Sequence, residues 1–362
     1  MGASLSLDVH RAAGDRRRGR ARLLAGAAAL FAVSFFLSAG YGAVTITPGQ
    51  ILSILAAQAG ISLPWAYTSA EETVFLAIRL PRVCLGALAG GVLAACGASL
   101  QGLFRNPLAD PALIGVSSGA ALAAVACIVL GSGGVLAHVG AEYRLPVAAF
   151  LGGLAAVWLV NRMATRNGHT DIATMLLAGV AINAICGAGI GAFVFASDDQ
   201  QLRQLNFWML GSLGGVTWGK LLPVAVLALP AILLLPAFAR FLDAMLLGES
   251  ETLYLGFEVE RTKKIIIALA AVAAGASVSA TGIIGFIGLV VPHVIRLLAG
   301  PGHRALLPAS IMAGAALMLT ADIFARTLVL PAELPIGILT ACVGGPFFIW
   351  LLVRQVGGGG WS

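Results

Sequence analysis

Charge is scarce in this chain. Charged residues make up 10% of its 362 residues and hydrophobic residues make up 59%, whereas about a quarter of the residues of a soluble domain are charged. This composition excludes an ordinary soluble domain. Several apolar runs of about 18 residues or more can each cross a hydrocarbon layer as a helix, and the alternating segments of a transmembrane barrel do not occur in the sequence. We therefore predict an all-α, polytopic membrane protein that lies in a lipid bilayer.

Cysteine and intramembrane ionisable residues are also few. The five cysteines stand singly in apolar runs and form no C-x-x-C pair, so we predict small buried hydrophobes with neither a disulfide nor a metal site. Asp322 lies four residues before Arg326, which predicts an i,i+4 ion pair. A membrane enzyme would need a convergent set of His, Asp, Glu or Cys, and none is evident. An ion-coupled secondary carrier usually needs carboxylates at mid-membrane; it stays open as the alternative class.

The chain also lacks a nucleotide-binding motif. Residues 214–221 approach the phosphate-binding pattern G-x-x-x-x-G-K-[ST], but Leu221 stands where the hydroxyl should be and no strand precedes it. We predict that the chain has no nucleotide site of its own and is not an enzyme.

The basic residues predict the orientation of ten membrane-spanning segments. With the N-terminus in the cytosol, 16 of the 22 Lys and Arg residues fall on the cytosolic side, as positive-inside topology requires. Both termini are then cytosolic, and the net charge of +6 indicates topology rather than nucleic-acid binding. We divide the chain into a basic tail (1–22), a membrane domain (23–356) and a flexible C-terminal tail (357–362). The predicted segments are 23–43, 83–103, 112–131, 146–164, 172–196, 221–241, 265–281, 283–299, 306–325 and 335–353.

What charge there is concentrates in residues 240–264, which we call the charged segment. It holds nine of the 38 charged residues in 25 positions and lies on the predicted cytosolic side. Apolar residues stand between its charges, and Gly248 and Gly256 punctuate it. So many apolar side chains in a solvated loop favour a docking surface for a cytosolic partner over a merely solvated loop.

Other motifs interrupt or mark the apolar segments. Asn106, Pro107 and Pro111 predict a break after the second segment, because neither proline allows continued helix pairing. Asn183 predicts an interhelical hydrogen bond, or a role in lining a pathway. The related stretches GASLQG (97–102) and GASVSATG (275–282) lie in segments of opposite direction. They suggest an inverted repeat of segments two to five and seven to ten, as in many transporters.

Two arginines stand on the side where cations are rare. Arg79 and Arg82 flank Pro81 on the predicted outer side, where they either snorkel to the membrane surface or meet an acidic partner outside.

Five motifs in order carry a family resemblance. The chain from about residue 23 to 354 resembles the FecCD-type permease subunits of ABC importers for cobalamin, ferric siderophores and haem. The motifs are RLPR (79–82), RNPLADPALIGVSSGA (105–120), LLGESETLYLG (246–256), TGIIGFIGLVVPHVIR (281–296) and ELPIGILTACVGGPFFIWLL (333–352).

The resemblance implies partners and site residues. It implies a homodimer in the cell inner membrane with the pathway along the dimer axis, two ABC ATPase subunits on the cytosolic face and a periplasmic binding protein outside. Arg79, Arg82 and Arg326 would pair with glutamates of the binding protein. The residues implied to couple to the ATPase are Leu246, Leu247, Gly248, Glu249, Ser250, Glu251, Leu253 and Gly256. Those implied for the pathway and its inner gate are Gly179, Asn183, Gly187, His169 and Thr170.

The resemblance also suggests the cargo. The outer stretch 197–215 is more similar to haem-type and siderophore-type members than to the cobalamin type, and we favour haem as the transported substrate. A ferric siderophore and cobalamin stay open as alternatives. No cofactor is expected to be permanently bound, and ATP would be bound and hydrolysed by the partner subunit.

Overall fold

The fold is an α-helical bundle with one small hairpin. The computed structural model describes residues 2–42, 44–131 and 137–357, and within them the side chains of residues 18–351 and 353. The hairpin pairs β1 (Thr165–Arg166) with β2 (His169–Thr170). The helices are α1 (Gly2–Gly40), α2 (Pro48–Gln58), α3 (Ser69–Thr73), α4 (Leu80–Phe104), α5 (Val116–Leu130), α6 (Ala141–Ala164), α7 (Ile172–Phe195), α8 (Asp199–Met209), α9 (Trp218–Leu234), α10 (Ala239–Met245), α11 (Glu249–Tyr254), α12 (Val259–Thr281), α13 (Ile287–Ala299), α14 (His303–Thr327) and α15 (Ile336–Gly357).

Ten apolar helical stretches account for the ten predicted segments. In the part of the chain that the structure describes, 7 are long and apolar enough to cross a membrane: Arg18–Gly40, Ser69–Phe104, Ala141–Ala164, Ile172–Phe195, Trp218–Met245, Val259–Thr281 and His303–Thr327. Three shorter apolar helices complete the set: Val116–Leu130, Ile287–Ala299 and Ile336–Leu351. The all-α polytopic prediction is confirmed.

Some predicted boundaries are wrong, for reasons of backbone conformation. The third segment was placed from residue 112, but a 3₁₀ turn (Pro111–Ile114) comes first and Gly115 has a φ of 89°, so α5 begins at Val116. The eighth was placed from residue 283, but Phe286 has a φ of 70° and α13 begins only at Ile287. Left-handed residues of this kind stop a right-handed helix from continuing backwards through them.

Six of the ten segments begin earlier than predicted. Helices α6, α9 and α14 start three to five residues early, at Ala141, Trp218 and His303. The second segment runs from Ser69 because α3 continues through a π-helical turn (Val74–Arg79) into α4. The seventh begins at Val259, inside the charged segment. Helix α1 crosses the predicted tail boundary at residue 22 without a break, and its apolar part begins at Arg18. Residues 358–362 of the predicted C-terminal tail lie outside the described residues.

Helix α4 lies at the centre of the bundle. It packs against α9, α12, α13 and α14, and its glycines allow backbone contact. A Cβ on Gly97 would lie 1.9 Å from the carbonyl oxygen of Gly288, and one on Gly90 would lie 2.3 Å from that of Gly314. Small residues let membrane helices approach in this way where no hydrophobic effect drives them together. The helices that carry the two related GAS stretches, α4 and α12, pack against each other; the inverted repeat itself stays a prediction.

Candidate functional site

A short helix carries four of the eight residues that the resemblance implies for coupling, and the other four flank it. Helix α11 lies between α10 and α12 and exposes Ser250, Glu251, Leu253 and Tyr254, the last with 89% of its surface open. We define the docking surface, named for a predicted role that stays a prediction, as the exposed side chains Leu246, Leu247, Ser250, Glu251, Leu253, Tyr254 and Leu255. An apolar patch of this kind on an otherwise charged segment indicates a protein partner.

Local contacts and two glycine turns hold α11 in place beside α10. Thr252 is buried, and its hydroxyl donates to the carbonyl of Gly248 at 2.6 Å. The rings of Phe257 and Phe241 meet edge to face, with centroids 5.8 Å apart. Gly248 and Gly256 have φ values of 131° and 86°, which most side chains disfavour. These two glycines therefore set the turns on either side of α11, as the sequence predicted from their positions.

A buried ammonium lies behind the docking surface. Lys263 is fully buried, and its Nζ lies 3.1 Å from both carboxylate oxygens of Glu249 and 2.6 Å from Oε1 of Glu260. It also donates to the carbonyl oxygen of Thr170 at 2.9 Å. One cation thus joins α11, α12 and the hairpin.

The hairpin supplies the two residues expected at the inner gate. Asn167 and Gly168 both have positive φ, the conformation that closes a two-residue hairpin. The backbone N–H of Thr170 donates to Glu260 Oε2 at 2.9 Å, and His169 Nδ1 lies 2.8 Å from Glu260 Oε1. The chain enters α7 directly afterwards, where the carboxylate of Asp171 caps the helix by accepting from the N–H of Thr174 at 2.8 Å.

Three side chains of this region have the spacing of a metal site. Ligand atoms of His169, Glu249 and Glu260 all lie within 4.8 Å of one another. The ammonium of Lys263, however, already lies against both carboxylates. A lysine here fills the role of the cation, so this cluster is an internal ion network rather than a metal centre.

The predicted pathway residues of α7 lie four positions apart along one side of the helix and differ in what they contact. A Cβ on Gly179 would lie 1.9 Å from the carbonyl oxygen of Leu113, so Gly179 packs on the 3₁₀ turn. Asn183 accepts a hydrogen bond from Ser118 and donates to the carbonyl of Ala112 at 3.2 Å. The predicted interhelical hydrogen bond of Asn183 is therefore present. Gly187, one turn beyond Asn183 on the same side of α7, is exposed, and a Cβ there would meet nothing within 4 Å.

The break between α4 and α5 matches its prediction. Asn106 Oδ1 accepts from the N–H of Leu108 at 2.9 Å, which stabilises the turn around Pro107. Asp110 caps the 3₁₀ turn by accepting from the N–H of Ala112 at 2.9 Å, and the buried Pro111 opens that turn. The motif forms the connection from α4 to α5, and both α5 and the 3₁₀ turn pack against α7.

At the end of the bundle that the sequence predicts to lie outside, which we call the outer end, Arg82 joins two carboxylates. Its guanidinium donates to Asp322 Oδ1 at 3.0 and 2.8 Å and to the two oxygens of Glu333 at 2.9 Å each. These hydrogen bonds lower the pKa of the Glu333 carboxyl below its usual value, although partial burial opposes them. The predicted pair is also present, with Arg326 Nε 3.1 Å from Asp322 Oδ2.

The other two outer arginines bind main-chain carbonyls. Arg79 donates to the carbonyls of Ala39, Gly40 and Val44, and Arg326 donates to the carbonyl of Ser38 at 3.0 Å. Arg79 and Arg82 are buried, and the Arg326 side chain is only 10% exposed. All three guanidinium groups therefore stabilise the outer end of the bundle, a role that sequence reasoning missed. A docking role for them stays a prediction.

Sequence reasoning also missed a cavity on the same side. It measures about 770 Å³ and lies between α6, α8, α9 and α12. Apolar side chains such as Phe150 and Trp208 line it, together with Arg203 and Lys220. Helix α8, which lies in the predicted outer stretch 197–215, forms one wall.

This architecture defines a multi-pass membrane permease. Apolar helices pack through glycine contacts around a central helix, and an exposed docking surface projects from one long connection. The chain belongs to the FecCD transport family, whose pattern matches residues 30–354.

Relatives agree with this assignment. The chain is 50% identical over 282 residues to the hemin transport system permease protein HmuU of Yersinia pestis, covering 78% of this chain and 84% of the relative. It is 44% identical over 293 residues to the cobalamin import system permease protein BtuC of Halobacterium salinarum, covering 80% and 76%. It is 39% identical over 346 residues to the vitamin B12 import system permease protein BtuC of Klebsiella pneumoniae, covering 95% and 97%.

A solved structure shares the fold. An inward-facing conformation of a metal-chelate type ABC transporter superposes with a TM-score of 0.79 at 29% identity, over 92% of this chain and 99% of that one. The chain is thus an ABC importer permease of the FecCD type, and its relatives are permease subunits rather than enzymes.

Proposed function

We propose that this chain is the membrane subunit of an ATP-driven haem importer. The observation that carries the proposal is the 50% identity to a hemin permease over 84% of that relative's length. The matching cobalamin permeases, at 44% and 39% identity, support cobalamin as the second candidate. A ferric siderophore is a third candidate cargo.

A separate ATPase binds the docking surface in this proposal. Its support is the cluster of exposed apolar side chains on and around α11, including Leu247, Leu253 and Tyr254. The near-miss to a phosphate-binding loop at residues 214–221 agrees with nucleotide chemistry on the partner. The docking surface, the hairpin and both termini then lie on the cytosolic side of the inner membrane.

The outer end receives a periplasmic binding protein. The cluster there has three arginines, Arg79, Arg82 and Arg326, against the two carboxylates Asp322 and Glu333. An excess of one positive charge favours an acidic partner. Because the guanidinium groups face inward, we propose that they act mainly by holding the outer loops in a shape that the partner fits.

A second copy of the chain completes the pathway. Helix α7 exposes an apolar face that includes Val180, Ile185 and Gly187. Gly187 and Gly191 form a G-x-x-x-G pattern on that face, and no atom lies within 4 Å of a Cβ placed on either. Such patterns bring membrane helices into close contact. We therefore propose a homodimer in which α7 lies beside the dimer axis and lines the path.

The cargo can be tested through the binding protein of the same transporter. The purified binding protein, titrated separately with haem, cobalamin and a ferric siderophore, should shift the Soret band of haem and leave the other two spectra unchanged. Delivery is then followed as uptake by the reconstituted transporter. Uptake of cobalamin with no haem binding would overturn the cargo and leave the importer class intact.

A further inference from the structure

We propose that Lys263 is a positioning residue that makes the docking surface and the gate hairpin move as one unit. The proposal rests on the proposed function, since it requires an ATPase to act on α11. Through the contacts of Lys263, a displacement of α11 would reach the hairpin and then α7.

The first support is that Lys263 joins three elements at one atom. The Nζ group has three protons to donate, and the structure supplies three partners: the Glu249 carboxylate on α11, the Glu260 carboxylate on α12 and the carbonyl oxygen of Thr170 on β2. Because Lys263 is fully buried, water cannot replace a lost partner. A buried charge that loses its partner is strongly disfavoured, so the three elements should stay together.

The second support is a cross-link within the same network. Glu260 accepts from the N–H of Thr170 at 2.9 Å with its other oxygen. The hairpin is thus held to α12 through both the N–H and the carbonyl of one residue. Thr170 is itself buried, and Asp171 begins α7 immediately after it. A shift of the hairpin must therefore move the first turn of α7.

The neighbouring lysine offers a matched control. Lys264 is exposed, and its Nζ lies 3.4 Å from the carbonyl oxygen of Gly168. The two residues are adjacent on one helix, have the same side chain and differ in burial and partners. If the charge of this face matters in general, replacing either lysine should have the same effect. The proposed linkage would be broken only by replacing Lys263.

The test compares Lys263→Met with Lys264→Met in the full transporter, reconstituted with its ATPase and binding protein. Both variants should co-purify with the ATPase. Transport per ATP hydrolysed should fall at least tenfold in Lys263→Met and stay within twofold of the wild type in Lys264→Met. Equal transport per ATP in both variants would overturn the proposal.

A distance measurement separates linkage from a general loss of structure. Spin labels carried by unnatural amino acids at Ser250 and Asn167 report the separation of α11 from the hairpin. In the wild-type transporter one narrow distance should persist with and without ATP, and in Lys263→Met the distribution should broaden. A distribution that stays narrow in the variant would contradict the linkage.

Two further outcomes are distinguishable. If Lys263→Met does not fold, Glu249→Gln tests the same connection, because it weakens the α11 partner and leaves Lys263 paired with Glu260 and Thr170. Transport per ATP should again fall, and a wild-type ratio would refute the proposal. If the wild-type chain binds no ATPase at α11, both the proposed function and the linkage are wrong. If the wild-type chain binds its ATPase and Lys263→Met keeps the wild-type transport per ATP, only the linkage is wrong.

Discussion

Replacing Arg82 by methionine should destabilise the outer end of the bundle. Asp322 is fully buried and is held by Arg82 at 2.8 Å and Arg326 at 3.1 Å. Removing one partner of a buried ion pair costs about 3–5 kcal/mol because an uncompensated charge remains. Since Asp322 keeps Arg326, we expect the lower end, about 3 kcal/mol, or roughly a hundredfold in the unfolding equilibrium. Glu333 is 43% exposed and should add less to this cost than Asp322, because water partly solvates it after the change.

The assay is equilibrium unfolding of the purified permease in mixed micelles. Arg203→Met is the control, because Arg203 is an exposed arginine on the same side of the membrane. Arg82→Lys should be intermediate, since it keeps the charge and loses the fork that spans two carboxylates. The reasoning fails if Arg82→Met is as stable as Arg203→Met. Wild-type stability combined with weakened binding-protein affinity would instead favour a direct docking role.

Three further predictions concern the docking surface, the helix core and pH. Leu253→Asp should detach or uncouple the ATPase, because it places a charge at the centre of an apolar contact; normal co-purification with normal transport would count against the docking surface. Gly97→Ala should destabilise the fold by about 1–3 kcal/mol through overpacking against Gly288, measured by the same unfolding assay, and an unchanged midpoint would show that the α4–α13 contact yields easily. The lowered pKa of Glu333 means that its bond to Arg82 stabilises the protein above the ordinary range of a glutamate carboxyl and is lost as the pH falls through the lowered value. Melting profiles between about pH 3 and pH 7 should show this loss in the wild type and not in Glu333→Gln, and parallel profiles would refute it.

The helices could be predicted from sequence because hydropathy is a local signal. A span needs about 20 apolar residues in succession, and runs of this kind are visible without any knowledge of partners. Capping is local as well: residues 47–50 read T-P-G-Q, a capping-box pattern, and the structure contains both of its hydrogen bonds. The helix starts after Gly115 and Phe286 could not be predicted in this way, because a single left-handed residue within an apolar run leaves the hydropathy unchanged.

The partners of the charged residues could not be predicted in the same way. Arg82 and Asp322 are 240 residues apart in sequence, and nothing local to either predicts that they meet. The outer arginines were therefore expected to face outward. Lys263 was counted among the charges of a cytosolic segment, whereas it is buried between α11, α12 and the hairpin. In both places the count of charges predicts a side of the membrane, which stays a prediction, and it could not predict the direction of each side chain.

The most direct test of the account is the energy source for haem uptake. Proteoliposomes containing the permease, its ATPase and an external binding protein should accumulate haem against a gradient when ATP is available to the ATPase. They should not do so when an imposed proton gradient replaces ATP, nor when the permease is present alone. Accumulation driven by the proton gradient without ATP would contradict the account and identify an ion-coupled carrier.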